Sequence, residues 1–299
     1  MRRMYSDKTL YSILIILLFL CSMPVYGNSP DDSTRLGWQV GLSTGFFIPS
    51  PHSASFYNGK EGNENTIGYI LKNKYYYEEV FSLLEASDTF LLQNLPSDMR
   101  YNNSMMVGFT FRNKYRKDFS WYFSIRQVRL KAADFYTLEV DPLKHIATEP
   151  DIRRFMIWGE EDRHHFDFGV TWEFDSKLTG FYPSFDLGVT VTNAKVKTHK
   201  IFVNEREFSL INVYGNQPYV PGSGQQTFMV EQGGIGFGGF VTAGGRYYIN
   251  SSFSLDPSVQ LYVNTIHLKP YQQPRLHILF NLTFSVNNLL MLRNEPVEP

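Results

Sequence analysis

Beyond its first three dozen residues the chain alternates, apolar then small or polar, in segments long enough for a tilted membrane-crossing strand. The clearest segment sets Phe166, Phe168, Val170, Trp172 and Phe174 against His165, Asp167, Gly169, Thr171, Glu173 and Asp175. Seven more repeat the dyad: Leu36 to Leu42, Met105 to Phe111, Trp121 to Ile125, Phe185 to Val191, Ile235 to Val241, Phe253 to Val263, and Leu276 to Val286. A soluble sandwich or a lipocalin-like barrel also alternates. Its polar face meets bulk water, however, where Lys and Glu are usual. Here that face carries Gly, Ser, Thr and Asn with isolated charges, as the crowded lumen of a narrow barrel requires. The pattern predicts an all-β fold, an eight-stranded antiparallel up-and-down transmembrane β-barrel.

Connection lengths supply an orientation. Short links at Arg116 to Asp118, Ser176 to Gly180 and Asn250 to Ser252 alternate with long ones at Pro49 to Asn102, Asp141 to Arg163 and Asn193 to Gln232. Outer-membrane barrels turn tightly on the periplasmic side and loop out on the other, so both termini are placed in the periplasm. Pro183 and Pro257 fall near strand starts, where a missing N–H is tolerated. Trp38, Tyr115, Trp121, Phe181 and Tyr247 cluster at the same ends, as an interfacial girdle does.

The first long connection has structure of its own. Tyr77, Val80, Phe81 and Leu84 follow helical spacing, and Ile67, Ile70 and Leu71 form a shorter turn upstream. One or two helices are predicted within a 51–101 insert, which is a candidate lid, plug or interaction surface.

The amino terminus reads as a secretory leader over residues 1–27. Arg2, Arg3 and Lys8 precede the apolar run Ile13 to Leu20, with Val25 and Gly27 before the expected cleavage point. An uncleaved anchor is the alternative, but the run is short for a spanning helix. Cys21, the one cysteine, follows Leu20, which is too large for a lipoprotein signal. The expected organisation is therefore leader 1–27, a short segment 28–35, barrel 36–286 and a periplasmic tail 287–299. Leader removal leaves 25 basic against 28 acidic residues from totals of 28 and 29, a balance that argues against a nucleic-acid partner.

Several fragments resemble catalytic motifs but lack their context. Gly41, Ser43 and Gly45 spell G-x-S-x-G inside a strand, not at a strand-to-helix elbow. The glycines from Gly233 to Gly239 lack the Lys-Ser/Thr of a phosphate loop. Glu160, Glu161, Asp162, His164, His165 and Asp167 are dense in metal-ligating types, yet His164 and His165 point to opposite faces. His52 and Ser55 would need an acid brought from elsewhere. No catalytic residue, metal or cofactor is expected. The stronger signal is charge on inward positions: Arg112, Lys114, Arg126 and Arg246 with Asp167, Glu173, Asp175, Asp186 and Asp256. Buried charges need partners, so a salt-bridge network filling the lumen is expected.

From Leu36 to Val286 the plan resembles the small eight-stranded bacterial outer-membrane barrels, such as the outer-membrane protein A barrel domain, as architecture and without a diagnostic motif. The resemblance implies outer-membrane lipid around the strands and the barrel-assembly machinery as a partner during biogenesis. Phe280 and Phe284 are the aromatics available for recognition of the last strand, although the tail from Asn287 follows them. The expected role is a non-enzymatic structural or interaction component of the envelope with an envelope protein as partner. A narrow pore is the second expectation and a lipid-modifying enzyme the third.

Overall fold

The computed structural model describes residues 36–142, 151–178, 180–211 and 232–287. The leader 1–27, segment 28–35 and all of the tail but Asn287 lie outside the described residues, as do residues 212–231 of the third long connection. Among the described residues ten strands form one antiparallel sheet: β1 (Gly37–Ile48), β2 (Ala86–Asn94), β3 (Ser104–Lys114), β4 (Phe119–Pro142), β5 (Asp151–Glu173), β6 (Phe181–Val203), β7 (Arg206–Ser209), β8 (Gly233–Tyr248), β9 (Phe253–Asn264) and β10 (Arg275–Val286). Eight of them close a ring in the order β1-β3-β4-β5-β6-β8-β9-β10, which β10 completes by pairing with β1 from Val40↔Val286 to Ile48↔Ile278. The remaining two attach above the ring, β2 on β4 and β7 on β6.

Around the lower ring the alternation is as expected for lipid outside and polar groups inside. Leu42, Phe109, Phe168, Val189, Phe237 and Val263 are each more than half exposed, while Ser43, Thr110, Asp167, Thr190 and Asn264 on the same strands are buried. No water competes for backbone groups in hydrocarbon, and ring closure leaves no open edge there.

The expected long connections at 141–163 and 193–232 are corrected, because much of each is strand. β4, β5 and β6 run 24, 23 and 23 residues. At 3.3 Å per residue β5 reaches about 75 Å, twice what a tilted strand needs to cross a bilayer. Above Ile125 the alternation on β4 inverts. Val128, Leu130, Ala132, Tyr136, Leu138 and Val140 turn inward and are buried, while Gln127, Arg129 and Lys131 face out. The strands therefore leave the lipid and continue as a water-facing sheet with an apolar interior.

On β6 a bulge makes this inversion possible. Glu161 pairs with Val196 and Glu160 with Thr198, so Lys197 is the extra residue. The inserted residue shifts the phase by one, turning His199, Ile201 and Val203 inward where strict alternation would have sent Thr198, Lys200 and Phe202.

The first connection fills that apolar interior. It holds three short helices, α1 (Pro51–Ala54), α2 (Gly68–Leu71) and α3 (Lys74–Leu83), a 3₁₀ turn at Ser55–Tyr57, and then β2, one helix and one strand beyond expectation. Ser50 caps α1 through His52 N with Pro51 in the first turn, and Asn73 caps α3 through Tyr75 N at 3.0 Å. β2 joins β4 over 137–142, above the stretch where β3 pairs it, with Leu92 opposite Leu138.

Candidate functional site

Two layers of side chains fill the barrel from its short-turn end upward. In the lower layer Arg246 is clamped between two carboxylates. Its Nη1 donates to Glu173 Oε1 at 2.8 Å, and Nε and Nη2 reach Asp256 at 3.1 Å each. Lys114 donates to the other oxygen of Glu173 and to the Tyr248 hydroxyl, and Arg112 Nη1 reaches Asp256 Oδ2 at 3.1 Å. Higher up, Arg126 Nη1 lies 2.7 Å from Asp167 Oδ2 and 2.8 Å from both Gln260 Oε1 and the Tyr262 hydroxyl. Tyr262 also donates to Asp167 at 2.9 Å. Four cations thus meet three carboxylates, and Asp186, the further inward carboxylate read from the sequence, is buried on the wall of a polar cavity of about 30 Å³ beside them. That volume holds roughly two water molecules, far short of a water-filled channel.

Of the inward charges read from the sequence, Arg112, Lys114, Arg126, Asp167, Glu173, Arg246 and Asp256 are brought together by these bonds. Asp175 is not. β5 ends at Glu173, and Asp175 is exposed in the turn that follows, because the ladder stops before the periodic pattern does. Sequence alternation also missed an aromatic and aliphatic plug. Phe47, Met106, Tyr122, Val128, Leu130, Phe240, Tyr262 and Leu279 pack together inside the ring. Phe47 stacks on His277 at 5.8 Å, and Tyr262 meets Phe240 at 5.8 Å. Phe47, Met106, Tyr122, Tyr262 and Leu279 each sit between two apolar neighbours on the outward parity, so a two-class pattern counts them as noise. Their inward parity was the available signal.

The first connection caps this stack. Tyr57 donates its hydroxyl to Glu161 Oε2 at 2.7 Å, and Glu161 Oε1 binds Arg163 at 2.6 Å. Arg163 continues to Ser53 Oγ at 3.0 Å and Tyr101 at 3.1 Å. Burial and then the Glu161 charge push the Tyr57 phenol well above its ordinary value, so it remains a donor. A reciprocal amide pair, Asn65 with Gln232 at 2.7 Å both ways, ties the connection to the start of β8, and Tyr271 ties it to Asn63 at 3.1 Å. Its apolar side chains go into the same core: Ile67, Ile70, Leu71, Val80 and Leu84 are buried against Tyr136, Phe155 and Ile201. Phe81 packs beside them, whereas Tyr77 stays 37% exposed and stacks on Phe90 at 5.1 Å. Of the seven apolar residues read from the sequence, five are buried in this core, Phe81 packs against it and Tyr77 remains outside.

The other motifs find no assembled chemistry. Ser43 is buried in the lumen wall, and no group of three or more His, Cys, Asp or Glu among the described residues is placed to hold a metal. His165 bonds Thr192 at 3.1 Å, and Asp162 turns outward to Arg129 at 2.8 Å.

A closed antiparallel ring of eight strands, apolar outside and salt-bridged within, defines a membrane-spanning barrel, the architecture of the small bacterial outer-membrane proteins. No family model matches the sequence, and neither does any curated protein. Among solved structures the chain is similar to Neisserial surface protein A, at 7% identity over 84% of this chain and 96% of that one, with a TM-score of 0.41. The N-terminal barrel domain of Pseudomonas aeruginosa OprF gives 9%, 85%, 98% and 0.33, and OprG from Pseudomonas aeruginosa 9%, 87%, 95% and 0.34. These likenesses are faint, and the class rests on the ring and its two faces.

Proposed function

We propose that this protein is a non-enzymatic component of the outer membrane, exported by its leader and assembled by the barrel machinery, that holds a capped β-ectodomain clear of the lipid for another envelope component to bind. The observation that carries the reading is the double closure of the lumen. The Arg126–Asp167–Tyr262 group and the Arg246 clamp fill the ring, and the Tyr57–Glu161–Arg163 group seals the space above it. A transport path would require both to open. A rigid platform requires both to stay shut.

The ectodomain also offers apolar side chains to solvent far from the bilayer. Leu91 and Leu92 on β2 are 59% and 40% exposed, and Tyr77 lies close by against Phe90. Exposed apolar groups clustered beyond the membrane are the usual anchors of a protein contact. The test combines two measurements on the full chain. In planar bilayers the wild type should give no steady conductance, and a photo-crosslinker at Leu91 should capture an envelope protein in native membranes. A large, steady conductance would replace this reading with a pore.

A further inference from the structure

The outer faces of β4, β5 and β6 change from apolar to basic at one level. Ile125 and Phe166 end the continuous exposed apolar row of the lipid-facing belt on their strands, with Phe135 and Ile152 exposed again only far above it, and Val191 is their counterpart on β6. Immediately above them Gln127, His164 and Asn193 stand in register across the three strands. The next row is Arg129, Asp162 and Lys195, followed by Lys131 opposite Glu160. The bulge on β6 adds Lys197 to this face, 3.5 Å from Asp162 Oδ2.

Asp162 organises the group. Its side chain is only 6% exposed beneath Arg129 and Lys197, which are themselves 57% and 41% exposed. Arg129 Nε lies 2.8 Å from Asp162 and 3.4 Å from Glu160, whose side chain is 18% exposed. Lys131 is exposed, with Nζ 5.8 Å above the Trp158 ring. Four cations therefore surround two largely covered carboxylates, and what the patch presents outward is N–H.

We propose that this patch binds the phosphate groups of lipid headgroups in the leaflet around the upper edge of the barrel. Its position is continuous with the lipid-facing belt. The last β3–β4 pair joins Met106 to Val128, so Arg129 stands one step beyond it, at the level where lipid-facing Met105 is 58% exposed. Guanidinium and ammonium groups held at such an edge match a phosphomonoester or diester in charge and in donor geometry. At the corresponding level β1 carries Ile48, β3 Met105 and the chain just past β9 Thr265, while Arg275 at the top of β10 shares the inward parity of buried His277. Asp162 keeps Arg129 and Lys197 splayed on the surface, which lowers the ordering needed when a headgroup arrives.

The full chain would be placed in phosphatidylcholine nanodiscs doped with spin-labelled phosphatidic acid, and the motionally restricted fraction read by electron spin resonance. Wild type should enrich the anionic lipid on the order of tenfold over spin-labelled phosphatidylcholine, since each juxtamembrane cation contributes roughly a fivefold preference at low salt. Arg129→Gln/Lys131→Gln/Lys197→Gln should fall to near-equal partition, as should wild type in 1 M salt, where screening extends only about 3 Å. Arg129→Lys with the lysines intact should keep most of the enrichment. A control that neutralises Lys72, Lys200 and Arg206, all on the ectodomain, should leave it unchanged. Equal partition in wild type, or loss of enrichment in that control alone, would overturn the assignment and leave a solvated ion-pair network. Binding of inorganic phosphate without any lipid enrichment would overturn it too.

Discussion

The Tyr57 ring occupies the space that a side chain would fill on Gly159: a Cβ built there would lie 2.0 Å from Tyr57 Cδ1. The glycine thus lets the capping connection settle onto β5 with Tyr57 fully buried and its hydroxyl on Glu161. A Gly159→Val change should displace Tyr57 and destabilise the cap by about 1–3 kcal/mol, the usual cost of overpacking. Limited proteolysis within 49–103 should accelerate while the ring stays intact. Unchanged proteolysis would show that Tyr57 does not hold the cap.

Arg126 and Asp167 are 5% and 0% exposed in their side chains, so removing one leaves the other charged and unpaired in the lumen. Arg126→Met should lower stability by about 3–5 kcal/mol, and Arg126→Met/Asp167→Leu by clearly less. Urea unfolding of the protein refolded in lipid vesicles reads both. A double variant as unstable as the single one would mean that Gln260 and Tyr262, not the charge pair, dominate the site.

Deleting Lys197 removes the bulge and leaves Thr198 as the single residue between inward Val196 and inward His199. Strict alternation then keeps His199, Ile201 and Val203 facing the cap core. The expected result is a barrel that spans the membrane and retains amide protection in 132–140 and 151–159 by hydrogen exchange. Loss of that protection would show that the extra residue does more than set the phase of β6.

His199 gives the cap a pH dependence. Burial holds its pKa down to about 3, against the opposing effect of its hydrogen bond to the Tyr57 carbonyl. Phe56 and Tyr57 are the rings that contact it. The folded value lies below the unfolded one of about 6.5, so the unfolded cap takes up the proton first. The contribution of neutral His199 is complete above about pH 6.5 and is lost as pH falls from there toward 3, by about 1.4 kcal/mol per unit within that window. Protease resistance of 49–103 should decline over that range, and His199→Leu should flatten the profile. An equally steep profile in His199→Leu would assign it to another group.

In the lipid-facing half the fold was legible because one rule governs it. Hydrocarbon outside and a narrow polar lumen inside force a period of two, and Phe166 through Glu173 display it without interruption. Arg126, Asp167, Glu173, Arg246 and Asp256 were legible as inward charges for the same reason. Their pairings were not, since Arg126 meets Gln260 and Tyr262 across 134 and 136 residues of chain. Asp175 shows the opposite error, a periodic position with no ladder left to give it a side.

Sequence periodicity alone determined an eight-stranded ring and, Asp175 apart, which charges point inward, because lipid and lumen impose opposite solvents on alternate residues. Only the tertiary structure decided that the strands continue past the bilayer. There the solvents change places, Val128 and Leu130 turn inward while Arg129 and Lys131 turn out, and a single bulge at Lys197 resets β6. The same sequence letters then read as a loop until the first connection, with Ile67, Val80 and Leu84, is seen to supply the other half of the core.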